Sequence, residues 1–79
     1  MASRDEIFEW VSQVLREEFA YGDEIRLESH LIDDLDLDSI DAIDMTVRLE
    51  EKTGLSFNED DLKSILTVRD VVNLIDGRL

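Results

Sequence analysis

Apolar residues recur at helical spacing near the start of the chain. Ser3 and Glu6 have the Ser-x-x-Glu spacing of a capping box, a common signature of a helix N-terminus. The apolar positions that follow lie at i, i+4, i+7 and i+8, on one face of a helix: Ile7, Val11, Val14 and Leu15. This pattern predicts a helix from about Arg4 to Phe19.

The periodicity lapses between Ala20 and Leu37, where Gly22 interrupts the sequence. Apolar residues still occur there, but at irregular intervals: Leu27, Leu31, Ile32, Leu35 and Leu37. Long connections without secondary structure are uncommon in compact domains. We therefore expect a long loop that scattered apolar side chains hold against the core.

A second helix is predicted to begin at Asp38 and Ser39. Asp38 is a favourable N-cap, and Asp41 occupies the third helical position. Gly54 directly follows Thr53 and is a good residue to end the helix, because glycine adopts the left-handed conformation without strain. The helix is therefore expected to end near Thr53.

Two further helices are predicted in the last third of the chain. Residues 58–61 are expected to start a short helix, and Thr67-x-x-Asp70 is another capping signature. Apolar positions follow it at helical spacing until Gly77: Val68, Val71, Val72 and Ile75. No segment alternates like a strand. The sequence thus predicts an all-α fold, a small four-helix bundle of three main helices and one short helix, forming a single domain over residues 1–79.

The second helix has two apolar faces when its residues are placed at about 100° per step. One face is expected to pack in the core: Ala42, Met45, Thr46, Leu49 and Thr53. The opposite face has aliphatic side chains bordered by acids: Ile40, Ile43 and Val47, with Asp41, Asp44 and Glu51 on one edge and Glu50 on the other. We interpret this second face as a docking surface for proteins. The alternative is that the loop or the short helix covers its aliphatic side chains.

Charge narrows the classes of partner. The 21 acidic and 8 basic residues give a formal net charge of −13, which repels nucleic acid and anionic membranes and attracts Lys/Arg-rich protein surfaces. A chain of 79 residues builds too small a core for a deep catalytic cavity, so an enzyme is disfavoured. With no cysteine and no apolar run of membrane-spanning length, we expect a monomeric, cytoplasmic protein that does not insert into membranes.

The densest charge lies in the segment from Asp34 to Asp44, DLDLDSIDAID. Its Asp-x-Asp-x-Asp opening resembles an EF-hand loop, but the sixth position is Ser39 where glycine is needed, and the twelfth is Met45 where a glutamate is needed. Selective calcium binding is therefore not expected, and no metal site is predicted. His30 is the only histidine, and no spacing links it to a nucleophile, so we interpret it as an ordinary loop residue.

Ser39 has two interpretations. It is a common type of residue at the start of a helix. A hydroxyl in the first turn is also exposed, and the backbone N–H groups there tolerate a phosphate, which makes it a suitable place for a phosphodiester.

The segment Asp34-Leu-Asp-Leu-Asp-Ser-Ile-Asp41 resembles the phosphopantetheine attachment motif of acyl carrier proteins, usually Asp-Leu-Gly-x-Asp-Ser-Leu. The resemblance extends over nearly the whole chain, including the closing Thr-Val-x-x-Val-Val run at residues 67–72. Asp36 replaces the usual glycine, and Ile40 replaces the usual leucine. Arg48 interrupts the acidic edge and Thr46 occupies a normally apolar position, which favours a specialised carrier. The wording Asp-Leu-Asp-Leu-Asp-Ser-Ile-Asp-Ala at residues 34–42 is similar to that of carriers of aryl polyene clusters.

The resemblance implies a covalent 4'-phosphopantetheine on Ser39, flanked by Asp38, whose thiol carries acyl chains as thioesters. It implies several partners with basic docking patches: a phosphopantetheinyl transferase, a ketosynthase, an acyltransferase and related enzymes of fatty-acid, polyketide or polyene synthesis. It also implies that these enzymes bind the second helix: Ile40, Asp41, Ile43, Asp44, Val47, Glu50 and Glu51. The alternative function is a non-enzymatic acidic module for interaction or divalent-cation binding, in which Ser39 only starts a helix.

Overall fold

The computed structural model describes residues 2–19, 22 and 24–79. Its four helices are α1 (Arg4–Phe19), α2 (Ser39–Thr53), α3 (Glu59–Ser64) and α4 (Val68–Asp76). The predicted all-α bundle of three main helices and a short one is confirmed, and the predicted helix limits agree with the observed ones. The predicted long loop follows α1, although residues 20, 21 and 23 lie outside the described residues.

Each of these four helices begins with a reciprocal capping box. In each pair, the side chain of the first residue accepts a hydrogen bond from the backbone N–H of the second residue. The carboxylate of the second residue accepts a hydrogen bond from the backbone N–H of the first. The pairs are Ser3 with Glu6, Asp38 with Asp41, Asn58 with Asp61 and Thr67 with Asp70. These bonds satisfy N–H groups that have no partner inside the helix, so the start of each helix is fixed locally.

The core is formed by aliphatic side chains. The residues predicted from the periodicity of α1 and α4 are all buried: Ile7, Val11, Val14, Leu15, Val68, Val71, Val72 and Ile75. Helix α1 packs against α4 and α2, and α3 contacts α2. On the predicted core face of α2, Met45, Thr46 and Leu49 are buried, and Ala42 and Thr53 are half-buried. The buried Thr46 hydroxyl donates to the Ile43 carbonyl at 2.7 Å, so this polar group is satisfied.

The long loop is anchored by backbone pairing as well as by its side chains. Within its described part, Ile25, Leu31, Leu35 and Leu37 are buried, whereas Ile32 is exposed. The loop also runs beside the connection between α3 and α4: the N–H groups of Leu31, Val68 and Arg69 donate to the carbonyls of Leu66, Ser29 and Leu27 at 2.8 to 3.0 Å. This pairing holds the loop in place just before it enters α2.

Candidate functional site

Ser39 is the first residue of α2 and is exposed. The capping box around it uses the side chains of Asp38 and Asp41: the N–H of Asp41 donates to Asp38 Oδ1 at 2.8 Å, and the N–H of Asp38 donates to Asp41 Oδ2 at 3.3 Å. The hydroxyl of Ser39 makes no hydrogen bond within the described part of the chain. The capping work therefore falls to its neighbours, and the Ser39 oxygen is left accessible for modification.

The segment before Ser39 is a compact turn organised by His30. The His30 Nδ1 atom accepts the N–H groups of Ile32 and Asp33 at 3.3 and 3.2 Å, and the His30 N–H donates to Asp34 Oδ2 at 2.7 Å. The His30 carbonyl in turn accepts from Asp34 and Leu35. The interpretation of His30 as an ordinary loop residue thus missed its capping role, for which the sequence gives only a weak signal, because histidine is not a preferred capping residue.

Asp36 has a left-handed backbone, with φ of 57°. Glycine adopts this conformation without strain, whereas most other residues do not, and aspartate tolerates it better than most. The turn of the chain at this position brings the buried Leu35 and Leu37 into the core on either side of it. The usual glycine of the attachment motif was the signal for this turn, and the substitution by aspartate conserves the turn.

An apolar cavity of about 340 Å³ opens beside Ser39. It lies between α2, α3, the turn that contains Ile32 and the start of the connection to α4. Its lining residues are Ile32, Ser39, Ala42, Ile43, Glu59, Leu62, Lys63, Ile65 and Leu66. The sequence does not predict this cavity, because it is formed by residues from four segments, and hydrophobic periodicity does not give the relative placement of those segments. A chain attached at Ser39 would find an apolar surface next to it.

The three aliphatic residues on the second face of α2 are exposed. The exposed fraction is 75% for Ile40, 49% for Ile43 and 41% for Val47, so the loop and α3 do not cover them. Exposed aliphatic side chains along one helix face, next to an accessible hydroxyl, suit a surface that other proteins contact. Their use as a docking surface stays a prediction.

The acidic residues around this face differ in what they contact. Asp44 and Glu18 both pair with the guanidinium of Arg48, at 3.7 and 3.5 Å, so Arg48 neutralises part of the acidic edge. Glu50 Oε2 accepts the N–H of Phe57 at 2.8 Å and thereby holds the connection between α2 and α3. Glu51 is exposed. Asp38 and Asp41 each accept a hydrogen bond in the capping box, so the carboxylate of this face best placed to meet a partner's cations is that of Glu51.

The described residues contain no group of three or more His, Asp or Glu side chains arranged to hold a metal ion. In the same part of the chain, no helix is both long enough and apolar enough to cross a membrane. The site described so far is an exposed hydroxyl, a capped helix start and an apolar cavity.

Comparison with known proteins gives this arrangement a family. Residues 9–75 match the family described as "Phosphopantetheine attachment site". The chain is 41% identical over 75 residues to "Acyl carrier protein 2" of Ralstonia nicotianae, which covers 94% of this chain and 93% of the relative. It is 38% identical over 80 residues to "Acyl carrier protein" of Thermotoga maritima, which covers 100% of this chain and 99% of the relative. The chain belongs to the acyl carrier protein family.

Acyl carrier proteins carry a covalently attached 4'-phosphopantetheine and are carriers, not catalysts. The predictions of a carrier, a non-enzyme and this prosthetic group are confirmed. A further acyl carrier protein, from Coprothermobacter proteolyticus, is 36% identical over 77 residues and matches 96% of this chain and 94% of its own length. The residues of the structure fit such a group, because the Ser39 hydroxyl is exposed and unbonded within the described chain and lies inside the matched range.

Proposed function

We propose that Ser39 carries the 4'-phosphopantetheine and that residues 1–79 act as one carrier domain. The protein would present acyl chains, as thioesters, to cytoplasmic enzymes of fatty-acid synthesis or of the related polyketide or polyene pathways. The observation that carries the proposal is the exposed, unbonded hydroxyl at the first residue of α2, beside an apolar cavity.

Attachment is a phosphoryl transfer in which this chain supplies only the nucleophile. The Ser39 oxygen attacks the phosphorus nearer the pantetheine in the pyrophosphate of coenzyme A, the new P–O ester bond forms, and adenosine 3',5'-bisphosphate leaves with the bridging oxygen. The hydroxyl proton goes to a base of the transferase, whose magnesium neutralises the pyrophosphate. When bound, the group supplies a thiol that forms a thioester with the acyl chain.

The residues of this chain then serve two tasks. The capping box of Asp38 and Asp41 fixes the helix start, so that the attachment point has a defined position for every enzyme that visits it. The cavity next to Ser39 offers apolar surface for the aliphatic part of the cargo.

The visiting enzymes are proposed to dock on α2. These are a phosphopantetheinyl transferase and biosynthetic enzymes such as a ketosynthase and an acyltransferase. Their basic patches would be steered by the net charge of −13, while the exposed Ile40, Ile43 and Val47 would supply the apolar contact. Steering by exposed charge speeds association without slowing release, which suits a carrier that must leave each enzyme after its reaction.

The direct test is incubation with coenzyme A and a promiscuous phosphopantetheinyl transferase, followed by intact mass spectrometry. The wild type should gain the mass of one phosphopantetheine. Ser39→Ala should gain none and keep the helical circular dichroism of the wild type. Ser64→Ala is the matched control, since Ser64 is another exposed serine and its loss should leave loading unchanged. Loading of the Ser39→Ala protein would refute the site, and a wild type that is never loaded would favour the acidic interaction module instead.

A further inference from the structure

Helix α3 forms one wall of the cavity beside Ser39 but has little packing of its own. It contributes Glu59, Leu62 and Lys63 to the lining. It is six residues long, and none of its residues is buried. Its internal ion pair, between Lys63 and Glu59 at 3.6 Å, is strongly exposed. Since short helices without buried side chains are marginal on their own, contacts from outside α3 must hold it in place.

Arg78 lies just after α4 and provides such contacts. Its Nη2 donates to Asp61 Oδ1, on α3, at 2.7 Å. Its Nη1 donates to the carbonyl of Ser56 at 2.9 Å, and its guanidinium carbon lies 5.8 Å from the centre of the Phe57 ring. One side chain thus joins the end of α4 to α3 and to the connection between α2 and α3.

The Asp61 carboxylate links this clamp to the start of α3. Its Oδ2 accepts the N–H of Asn58 at 2.9 Å in the capping box, while Oδ1 accepts Arg78. The hydrogen bond from the Asn58 N–H lowers the pKa of Asp61, and the Arg78 guanidinium lowers it further. Burial acts to raise it, but the pKa still lies below its usual range. The Asp61 side chain is 14% exposed and that of Arg78 35%, which makes this the least exposed ion pair among the described residues. Such a pair is better shielded from salt than the others.

We propose that Arg78 is a positioning residue that fixes α3 as the wall of the cavity, and thereby sets how well the cavity shelters the acyl chain carried beside it. The claim that the cavity shelters the acyl chain rests on the proposed function of Ser39. The claim that Arg78 fixes α3 rests only on the contacts of Arg78. Losing Arg78 would free α3 and the α2–α3 connection while leaving the main core of α1, α2 and α4 intact, because the residues that the Arg78 side chain contacts are not among the buried core residues.

Four variants test this. Arg78→Gln removes the charge and the guanidinium fork. Arg78→Lys keeps the charge but cannot reach both acceptors in the same planar geometry. Arg26→Gln is the matched control, since it removes the same charge from an exposed pair with Glu24 that lies outside the cavity lining. Asp61→Asn, which keeps an oxygen for the cap, completes a double-mutant cycle with Arg78→Gln.

The first measurement is amide hydrogen exchange on the unmodified proteins. In Arg78→Gln, the amides of α3 should exchange about tenfold faster, as expected for the loss of charge-assisted hydrogen bonds, and those of α1 and α4 should not change. Arg78→Lys should be intermediate, and Arg26→Gln should match the wild type. Arg78→Gln should have a smaller effect in the Asp61→Asn background than in the wild type, because only the contacts with Ser56 and Phe57 are then left to lose. Unchanged α3 exchange would overturn the proposal. A uniform increase in all helices would also overturn it, because Arg78 would then stabilise the whole fold.

The second measurement is the rate at which hydroxylamine cleaves the thioester of protein loaded with octanoyl-phosphopantetheine or acetyl-phosphopantetheine. Arg78→Gln should speed cleavage of the octanoyl form several-fold and leave the acetyl form unchanged, because only the longer chain needs the cavity wall. Equal octanoyl rates in variant and wild type would overturn the role in sheltering. If the wild type accepted neither group, the proposed function of Ser39 would fail, and the exchange measurement would still decide whether Arg78 holds α3.

Discussion

Asp36 is the one non-glycine residue with a positive φ in the described part of the chain. It stands where the attachment motif usually has glycine, and its φ of 57° is in the left-handed region. An aspartate tolerates this region better than alanine, because its short polar side chain can hydrogen-bond locally. It also adds a negative charge to a segment already rich in them.

We expect Asp36→Gly to be more stable than Asp36→Ala by about 1 kcal/mol, because alanine pays the strain of a left-handed backbone and glycine does not. The two variants lose the same charge, so each controls for the electrostatics of the other. Urea unfolding followed by circular dichroism gives the difference in the free energy of unfolding. An alanine variant as stable as the glycine variant would mean that the backbone is not left-handed at this position in solution.

Asp70 caps α4, so we expect its protonation to weaken the start of that helix. Its Oδ2 accepts the N–H groups of Leu66 and Thr67 at 2.9 and 3.0 Å. Partial burial acts to raise its pKa, but these hydrogen bonds and the Thr67 side chain outweigh it, so the pKa of Asp70 lies below its usual range. Between the folded and unfolded pKa values the unfolded chain binds more protons, so stability from Asp70 rises with pH there.

Asp70→Asn should therefore lower the free energy of unfolding at neutral pH by up to about 1 kcal/mol, the typical value of a helix cap. The difference from the wild type should be complete above the unfolded pKa of aspartate, about 3.9, and should shrink as the pH falls through the lower pKa of the folded protein. Thermal unfolding of both proteins across acid and neutral pH measures it. A difference that is constant with pH would contradict the linkage.

Helix α2 has one buried and one exposed apolar face. Met45, Thr46 and Leu49 are buried against the bundle, and Ile40, Ile43 and Val47 are exposed. This division was predictable, because helical periodicity and capping residues are local properties that the sequence states directly. The acidic edge was less predictable: the pairing of Asp44 with Arg48 and the bond from Phe57 to Glu50 depend on neighbours outside the acidic segment.

If α2 is the docking surface, Ile40→Ser should lower kcat/KM for modification by the transferase roughly fivefold or more, the effect of losing about 1 kcal/mol of apolar contact. Stability should change little, because Ile40 is 75% exposed. Leu79→Ser is the control, since Leu79 is also exposed, at 49%, but lies after α4. Equal loss in both variants, or none in Ile40→Ser, would argue against docking on α2.

The loop and the cavity are the elements that the sequence predicted least well. The expectation of a long loop pinned by apolar residues was sound for Leu31, Leu35 and Leu37, but Ile32 is exposed and lines the cavity. The pairing of the loop with residues 66–69, and the contacts of Arg78 with α3, join residues distant in sequence. Local propensity gives no information about such contacts, so neither the wall of the cavity nor its clamp could be foreseen.

The whole molecule is strongly acidic for its size, with 8 basic residues against 21 acidic ones. Repulsion among so many carboxylates opposes the compact state, and the described ion pairs are mostly exposed and of small value. The same field that we propose steers basic enzymes toward the carrier therefore lowers its stability. The family match and the fold both identify a small carrier. Such a carrier tolerates the loss of stability that its charge repulsion causes.

Raising the concentration of sodium chloride from about 0.01 to about 0.3 M should stabilise the protein, because screening weakens net repulsion more than it weakens a few exposed pairs. The expected gain is about 1 kcal/mol, or roughly 5 °C in Tm for a domain of this length. Calorimetry at neutral pH measures it. A Tm that falls with salt would mean that attractive pairs, and not repulsion, dominate the electrostatics of folding.

The most direct test of the carrier assignment is the location of the group after enzymatic loading from coenzyme A. Fragmentation mass spectrometry of the intact loaded protein resolves each serine. Ser3 is an internal comparison, because it too is an exposed serine at the start of a helix. The account predicts a single phosphopantetheine on Ser39 and none on Ser3. A group found on any other residue would contradict it.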